Sequence, residues 1–106
     1  MLCAHTVRKL KPGTFDQFAE AFRPDQGSAA GPPSGWVRFD LCRGVSDPDE
    51  VVTFGFFDGT MEQLEANQDD HGYADRVAAV APFVDHVEAN GVYEVVVELK
   101  AEGTAA

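Results

Sequence analysis

The chain reads as one α+β domain of the ferredoxin-like kind, a β-α-β-β-α-β order with an antiparallel sheet and both helices on one face. Three observations predict it. Alternating apolar residues mark strands at 2–10, 36–43 and 51–58 and again near the end of the chain. Helix-start signatures with helical apolar spacing follow the first and third strands. The connections are short and rich in breakers, and 106 residues leave room for a single domain over 1–106.

Residues 2–10 alternate, with Cys3, His5 and Val7 on one face and Leu2, Ala4, Thr6 and Arg8 on the other. Lys11-Pro12-Gly13 breaks the strand. Thr14 with Gln17 forms a capping-box pattern, and Phe15, Phe18, Ala19 and Phe22 give the following helix an apolar face that Pro24 ends. Residues 24–35 are rich in breakers, with three prolines and three glycines, and read as a flexible loop. Trp36 to Arg43 and Val51 to Asp58 are strands joined by the turn residues Ser46-Asp47-Pro48-Asp49, hence a hairpin.

Thr60 with Gln63 repeats the capping box and predicts a short helix near 61–66. Asp69 and Asp70 can cap a second helix over about 71–81, with Tyr73, Val77 and Val80 along one side and Pro82 at its end. Asn90-Gly91 is a strong hairpin signal between residues 83–89 and the alternating stretch 92–100, so a brief strand or a helical turn precedes the last strand. Residues 101–106 read as a frayed end.

In this split order the first strand lies between the third and the last. Cys3 and Cys42 then sit on non-neighbouring strands, too far apart for a disulfide. One sheet face is covered by helices. The other carries Trp36, Thr53 and Phe57 with the mixed Val92, Glu94, Val96 and Glu98, and a half-apolar open face predicts a homodimer through the sheet.

Composition narrows the partners. Eighteen acidic against eight basic residues give a formal net charge of −10, which disfavours nucleic acid and anionic membrane surfaces. No apolar run approaches the ~20 residues of a membrane span, and the start of the chain lacks a signal-peptide pattern. Two isolated cysteines point to a reduced, cytoplasmic setting. Three scattered histidines lack metal-ligand spacing, and no phosphate-binding loop or nucleophile elbow is present. The sequence calls for no metal and no cofactor.

Together these pieces resemble the antibiotic-biosynthesis-monooxygenase family of the dimeric α/β-barrel superfamily. The matching residues are the first strand running into Lys11-Pro12-Gly13, Phe15 and Phe18, Gly35-Trp36, the turn from Ser46 to Asp49, Phe56-Phe57-Asp58, the helix at Met61–Leu64, and His71 to Val80. The resemblance implies a dimer whose sheets form a barrel, with a pocket in each copy between sheet and helices. It also implies a cofactor-independent monooxygenase of aromatic or polyketide-like molecules, in which a substrate anion supplies electrons to oxygen. The protein would supply a base, hydrogen bonds and a dry pocket. Haem-degrading relatives use an Asn, a Trp and a His where this chain has Thr6, Phe57 and Val77, which sets haem degradation aside. The other reading is a non-catalytic barrel that binds a small hydrophobic ligand.

Five residues are candidates for the site. His5, two residues from Cys3 and roughly 7 Å from it along the strand, is the candidate general base; a Cys3–His5 nucleophilic pair would need closer contact. Trp36 and Arg38, read as pointing the same way, could hold an anionic aromatic molecule by stacking and charge, or meet a partner in the dimer. His71 and Tyr73 could hydrogen-bond a phenolic or carbonyl ligand at the pocket mouth. His86 beside Asp85 is a further acid–base pair.

Overall fold

The strand Leu2–Leu10 (β1) has partners on both sides, and the rest of the sheet is laid against it. The structure is a computed structural model that describes residues 1–22, 35–70 and 73–99, with Asp69, Asp70 and Tyr73 described by their backbone alone. After β1 come the helix Phe15–Phe22 (α1), the strands Trp36–Arg43 (β2) and Glu50–Phe57 (β3), and the helices Met61–Asp70 (α2) and Tyr73–Val80 (α3). A 3-10 turn at Ala81–Phe83 leads into the last strand, Val84–Glu94 (β4). The sheet order is β2-β3-β1-β4, with all pairs antiparallel, as the split arrangement predicts. Cys3 and Cys42 are both free, with β3 lying between their strands.

Helix starts follow the sequence signals unequally. At α2 the capping box forms in full: the Thr60 N–H donates to Gln63 Oε1 at 2.9 Å, and the Gln63 N–H donates to Thr60 Oγ1 at 3.2 Å. At α1 the Thr14 hydroxyl turns away and donates to the carbonyls of Lys11 (2.7 Å) and Phe83 (3.2 Å), which ties the helix start to the turn before β4. The helix expected at 61–66 extends to Asp70, because Glu65 to Gln68 hold nothing that breaks it. The loop at 24–34 and the tail 101–106 lie outside the described residues.

The hairpin expected at Asn90-Gly91 does not form. Both residues lie within β4, where Asn90 pairs with Thr6 and Gly91 with His5. Gly91 is extended and not in the left-handed region an Asn-Gly turn requires. Nine residues of β1 offer a full ladder, and that outweighs a local turn preference worth one or two bonds. Past Glu94 the chain is irregular, anchored where the Val95 N–H donates to the Met1 carbonyl at 2.9 Å. The 3-10 turn forms because Pro82 lacks the N–H a continued helix needs.

A second correction concerns which face of the sheet lies inward. Val51, Thr53 and Phe57 are buried (0%, 7% and 3% exposed), so Trp36, Thr53 and Phe57 belong to the helix-covered face. The open face carries Cys3, His5, Val52, Phe54 and Phe56, with Tyr93 beside His5. Alternation separates two sets of residues but does not say which is inside when both are apolar. The helices settle it. Leu10, Phe18, Val51 and Val80 make the core cluster, and Phe15, Phe22, Leu41 and Phe83 pack around it. Phe18 is fully buried, stacked on Phe22 with ring centres 5.8 Å apart.

Two predictions follow from packing and charge. Replacing Phe18 with Ala should lower unfolding free energy by about 3–5 kcal/mol, read from urea denaturation midpoints. At the exposed β4 edge the Asp85 carboxylate, 2.7 Å from His86 Nδ1, holds that imidazole above its usual pKa, with Glu88 helping from the other side. Because the folded pKa is raised, the pair's small contribution is present at acidic pH and fades as pH rises through the folded value. Asp85→Asn should lower the His86 midpoint in an NMR titration; an unmoved midpoint would reject the pairing.

Candidate functional site

Between the sheet and the helices lies a cavity of about 280 Å³, and its position follows from side-chain size along the sheet. At the Leu10 end of β1 the helix-facing side is filled by Phe18, Val51 and Val80. Toward the other end the same face of β1 offers Arg8, Thr6 and then Ala4. Ala4 pairs with Gly55 of β3 on one side and Val92 of β4 on the other. This row of small residues leaves space where the core would continue.

Gly55 is also what lets the aromatic wall close in. A Cβ there would lie 2.6 Å from Cζ3 of Trp36 and 3.1 Å from Cε1 of Phe39. The indole sits 4.6 Å (centre to centre) from Phe39 and edge-on to Phe57 at 5.2 Å. Its Nε1 donates to Asn67 Oδ1 of α2 at 2.9 Å, so the wall is hydrogen-bonded to the helix layer. Phe22, Val77 and Val80 complete the apolar side from α1 and α3.

The next row across the sheet is polar: Asn90, Thr6 and Thr53 stand side by side on β4, β1 and β3. Thr6 Oγ1 donates to Asn90 Oδ1 at 3.1 Å, and Arg8 Nη1 donates to Thr53 Oγ1 at 2.9 Å. Gln68 of α2 and Arg76 of α3 reach the cavity from the helix side. A planar molecule here would meet aromatic rings on one flank and hydrogen-bonding groups on the sheet.

The candidates from the sequence separate. Trp36 lines the cavity. Arg38 does not join it: its guanidinium lies 4.8 Å over the Phe56 ring on the open face, paired with Asp40 at 3.2 Å. The reason is a register shift between Trp36 and Arg38, which breaks the two-residue alternation and sends the two side chains to opposite faces. His5 is likewise on the open face, 5.2 Å from the Phe54 ring and 6.0 Å from that of Tyr93, and is not part of the cavity wall. Its Nδ1 is buried without a hydrogen-bond partner among the described residues. Burial pushes the Cys3 thiol pKa up, the wrong direction for a nucleophile. His71 and the Tyr73 side chain lie outside the described residues, and His86 is exposed at the sheet edge.

Of the three family positions, Thr6 and Val77 line the cavity and Phe57 packs beside it under Trp36. Sequence reasoning missed Arg8, Thr53, Arg76 and Asn90. A signal existed for the first: Arg8 shares a strand face with Ala4, Thr6 and the apolar Leu10, unusual company for a solvent-facing arginine.

Sheet order, one-sided helices and the cavity between them define a ferredoxin-like α+β domain with room for a small molecule. Solved structures share that fold over nearly the whole chain. A proposed antibiotic biosynthesis monooxygenase from Deinococcus radiodurans superposes with a TM-score of 0.76 at 12% identity, covering 97% of this chain and 100% of that one. One from Nitrosomonas europaea gives 0.73 at 19% identity over 92% and 100%, and one from Chloroflexus aurantiacus J-10-fl gives 0.72 at 15% over 93% and 96%. An uncharacterised NIPSNAP domain protein from Burkholderia xenovorans gives 0.68 at 13% over 95% and 100%. No protein-family model matches the chain, and no curated protein does. The chain has the fold of the antibiotic-biosynthesis-monooxygenase structures, as its sequence motifs suggest.

Substituting Gly55 with Ala should push the indole of Trp36 out of place. The chain has one tryptophan, so a single indole N–H resonance reports it. That resonance should shift upfield as the bond to Asn67 is lost, and an unchanged signal would contradict the packing described.

Proposed function

We propose that this chain is a cofactor-independent monooxygenase acting on an aromatic or polyketide-like small molecule in the cavity above the sheet. The observation that carries the reading is the cavity itself, with aromatic residues along one side and Thr6, Thr53 and Asn90 in a polar row on its floor. The fold shared with proposed monooxygenases from three bacteria points to the same chemistry.

In the reaction envisaged, an activated CH₂ flanked by aromatic rings loses a proton and the carbanion passes electrons to O₂. The peroxide formed loses water to leave a carbonyl: one oxygen atom enters the product and the other leaves as water. The substrate supplies all the electrons, which is why no cofactor is required. The Asn90 amide N–H, with its Oδ1 held by Thr6, would donate to the ring oxygen on which negative charge develops, and the aromatic wall would keep water away.

The active form is proposed to be a cytoplasmic homodimer closed through the open sheet face. Cys3, His5, Phe54 and Phe56 form an apolar band there, and the buried His5 Nδ1, without a partner among the described residues, would gain one from a second copy. His5 then acts in assembly and not as the base. Among the described residues no helix is long and apolar enough to cross a membrane.

Oxygen uptake with a panel of anthrones and naphthols, with product analysis, tests the activity. Turnover is expected, and Asn90→Ala should reduce kcat/KM by about 100- to 1,000-fold, the scale of losing one anion-stabilising hydrogen bond. If nothing is oxidised while the same compounds bind, the chain is a ligand-binding barrel and not an oxygenase. His5→Ala should weaken the dimer in sedimentation equilibrium; reduced turnover in an intact dimer would return His5 to the chemistry.

A further inference from the structure

We infer that Ala4 sets the length of the ligand: the cavity takes an extended fused-ring molecule, its far ring on the Ala4 methyl and a terminal oxygen at the Asn90 amide. The inference rests on the aromatic-cavity reading above and adds the shape of the molecule that fills it.

Ala4 and Gly55 are paired neighbours on β1 and β3, yet the space above them is used differently. The place a side chain would take at Gly55 is already held by the rings of Trp36 and Phe39, at 2.6 and 3.1 Å. Gly55 is buried as a result, and the rings stand over it as a wall. Ala4 is half-buried although β1 has a strand on each side of it, and it lines the cavity. On its other flank is Val92, 38% exposed and also in the lining. The open floor at this end is centred on one methyl group, between an indole edge and a valine.

The floor has a defined length as well. One pair beyond Ala4 on the same face, Leu2 is matched with the buried Phe57, and neither lines the cavity. In the other direction the next residue on that face is Thr6, roughly 7 Å along the strand. There the Thr6 hydroxyl donates to Asn90 Oδ1, which makes the amide nitrogen the donor end of the Asn90 side chain. Past Thr6, Arg8 is bonded to Thr53, and the packed core begins at Leu10.

An apolar seat and a hydrogen-bonding row are thus separated by two residues of extended strand. A phenol with its oxygen at the row ends short of Ala4. Two linearly fused rings with the oxygen at one end span the distance, and the far ring then lies on the methyl beside the indole. An isomer with its oxygen on the flank of the ring system has the same apolar surface and cannot reach both. A larger residue at position 4 would occupy the place of the far ring.

The test measures binding of 2-naphthol, 1-naphthol and phenol by isothermal titration calorimetry under nitrogen, so that nothing is oxidised. The naphthols are isomers, and 2-naphthol should bind about fivefold tighter or more, the scale of one neutral hydrogen bond. Both should move the Trp36 indole N–H resonance. Ala4→Val, which suits a strand, should cut the affinity ratio of 2-naphthol to phenol about tenfold or more. Ala4→Ser adds a single atom and should retain most of that ratio, with circular dichroism to confirm folding of both variants.

Equal affinity of the two naphthols for the unaltered protein would overturn the length assignment and leave the aromatic cavity standing, a result that needs no variant. A folded Ala4→Val protein with an unchanged ratio would remove Ala4 from the ligand's path and reject the inference. Binding of none of the three would overturn both readings. Binding that leaves the Trp36 signal unmoved would put the compounds elsewhere and reject this site for them.

Discussion

Everything in this fold hangs on the double pairing of β1. It hydrogen-bonds to β3 on one side and β4 on the other, and each ladder places its partners' side chains in rows that cross the sheet. Once the register is set, a residue on β1 has a defined neighbour on both strands. Ala4 must lie between Gly55 and Val92, and Thr6 between Thr53 and Asn90. A shift of one residue would turn the core residue Leu10 outward and the open-face residues inward. The burial of Leu10 and Val51 therefore fixes the site as well as the core.

Those rows explain why a core and a cavity share one sheet face. Large apolar residues at the Leu10 end are filled by Phe18 and Val80 from the helices. Small residues at the Ala4 end leave a gap, and the aromatic side chains of β2 lean over it. Between the two ends lies the polar row, whose groups bond to one another or to Arg8. Of these only Thr53 is buried, and its hydroxyl is tolerated there because Arg8 bonds to it. The C-terminal end of β1 is tied as well: Leu10 N–H donates to Asp49 O in the hairpin turn, and Lys9 pairs with Asp47.

The two sheet faces divide the labour. The helix-covered face holds the cavity, while the open face holds His5, Phe54 and Phe56 with Arg38 over the Phe56 ring. The two faces can thus be altered separately by substitutions that are neighbours in sequence, since residues 5 and 6 lie on opposite faces. This is also why sequence proximity misled for Trp36 and Arg38. A register shift between them sends one to the cavity and the other to the open face.

The elements themselves were legible without a structure. Strand alternation, the Thr60–Gln63 capping box, Pro82 and the hairpin turn at 46–49 all act within a few residues, so their effects are written locally. The split topology was legible too, because a helix after the first strand and another after the third suit an antiparallel sheet with both helices on one face. Tertiary structure decided what depends on distant partners. It drew Asn90-Gly91 into a strand because β1 supplied a ladder, and it chose the inward sheet face because the phenylalanines of α1 had to be buried against Leu10 and Val51. By the same route it gathered Arg8, Thr53, Arg76 and Asn90, from four separate elements, around one cavity.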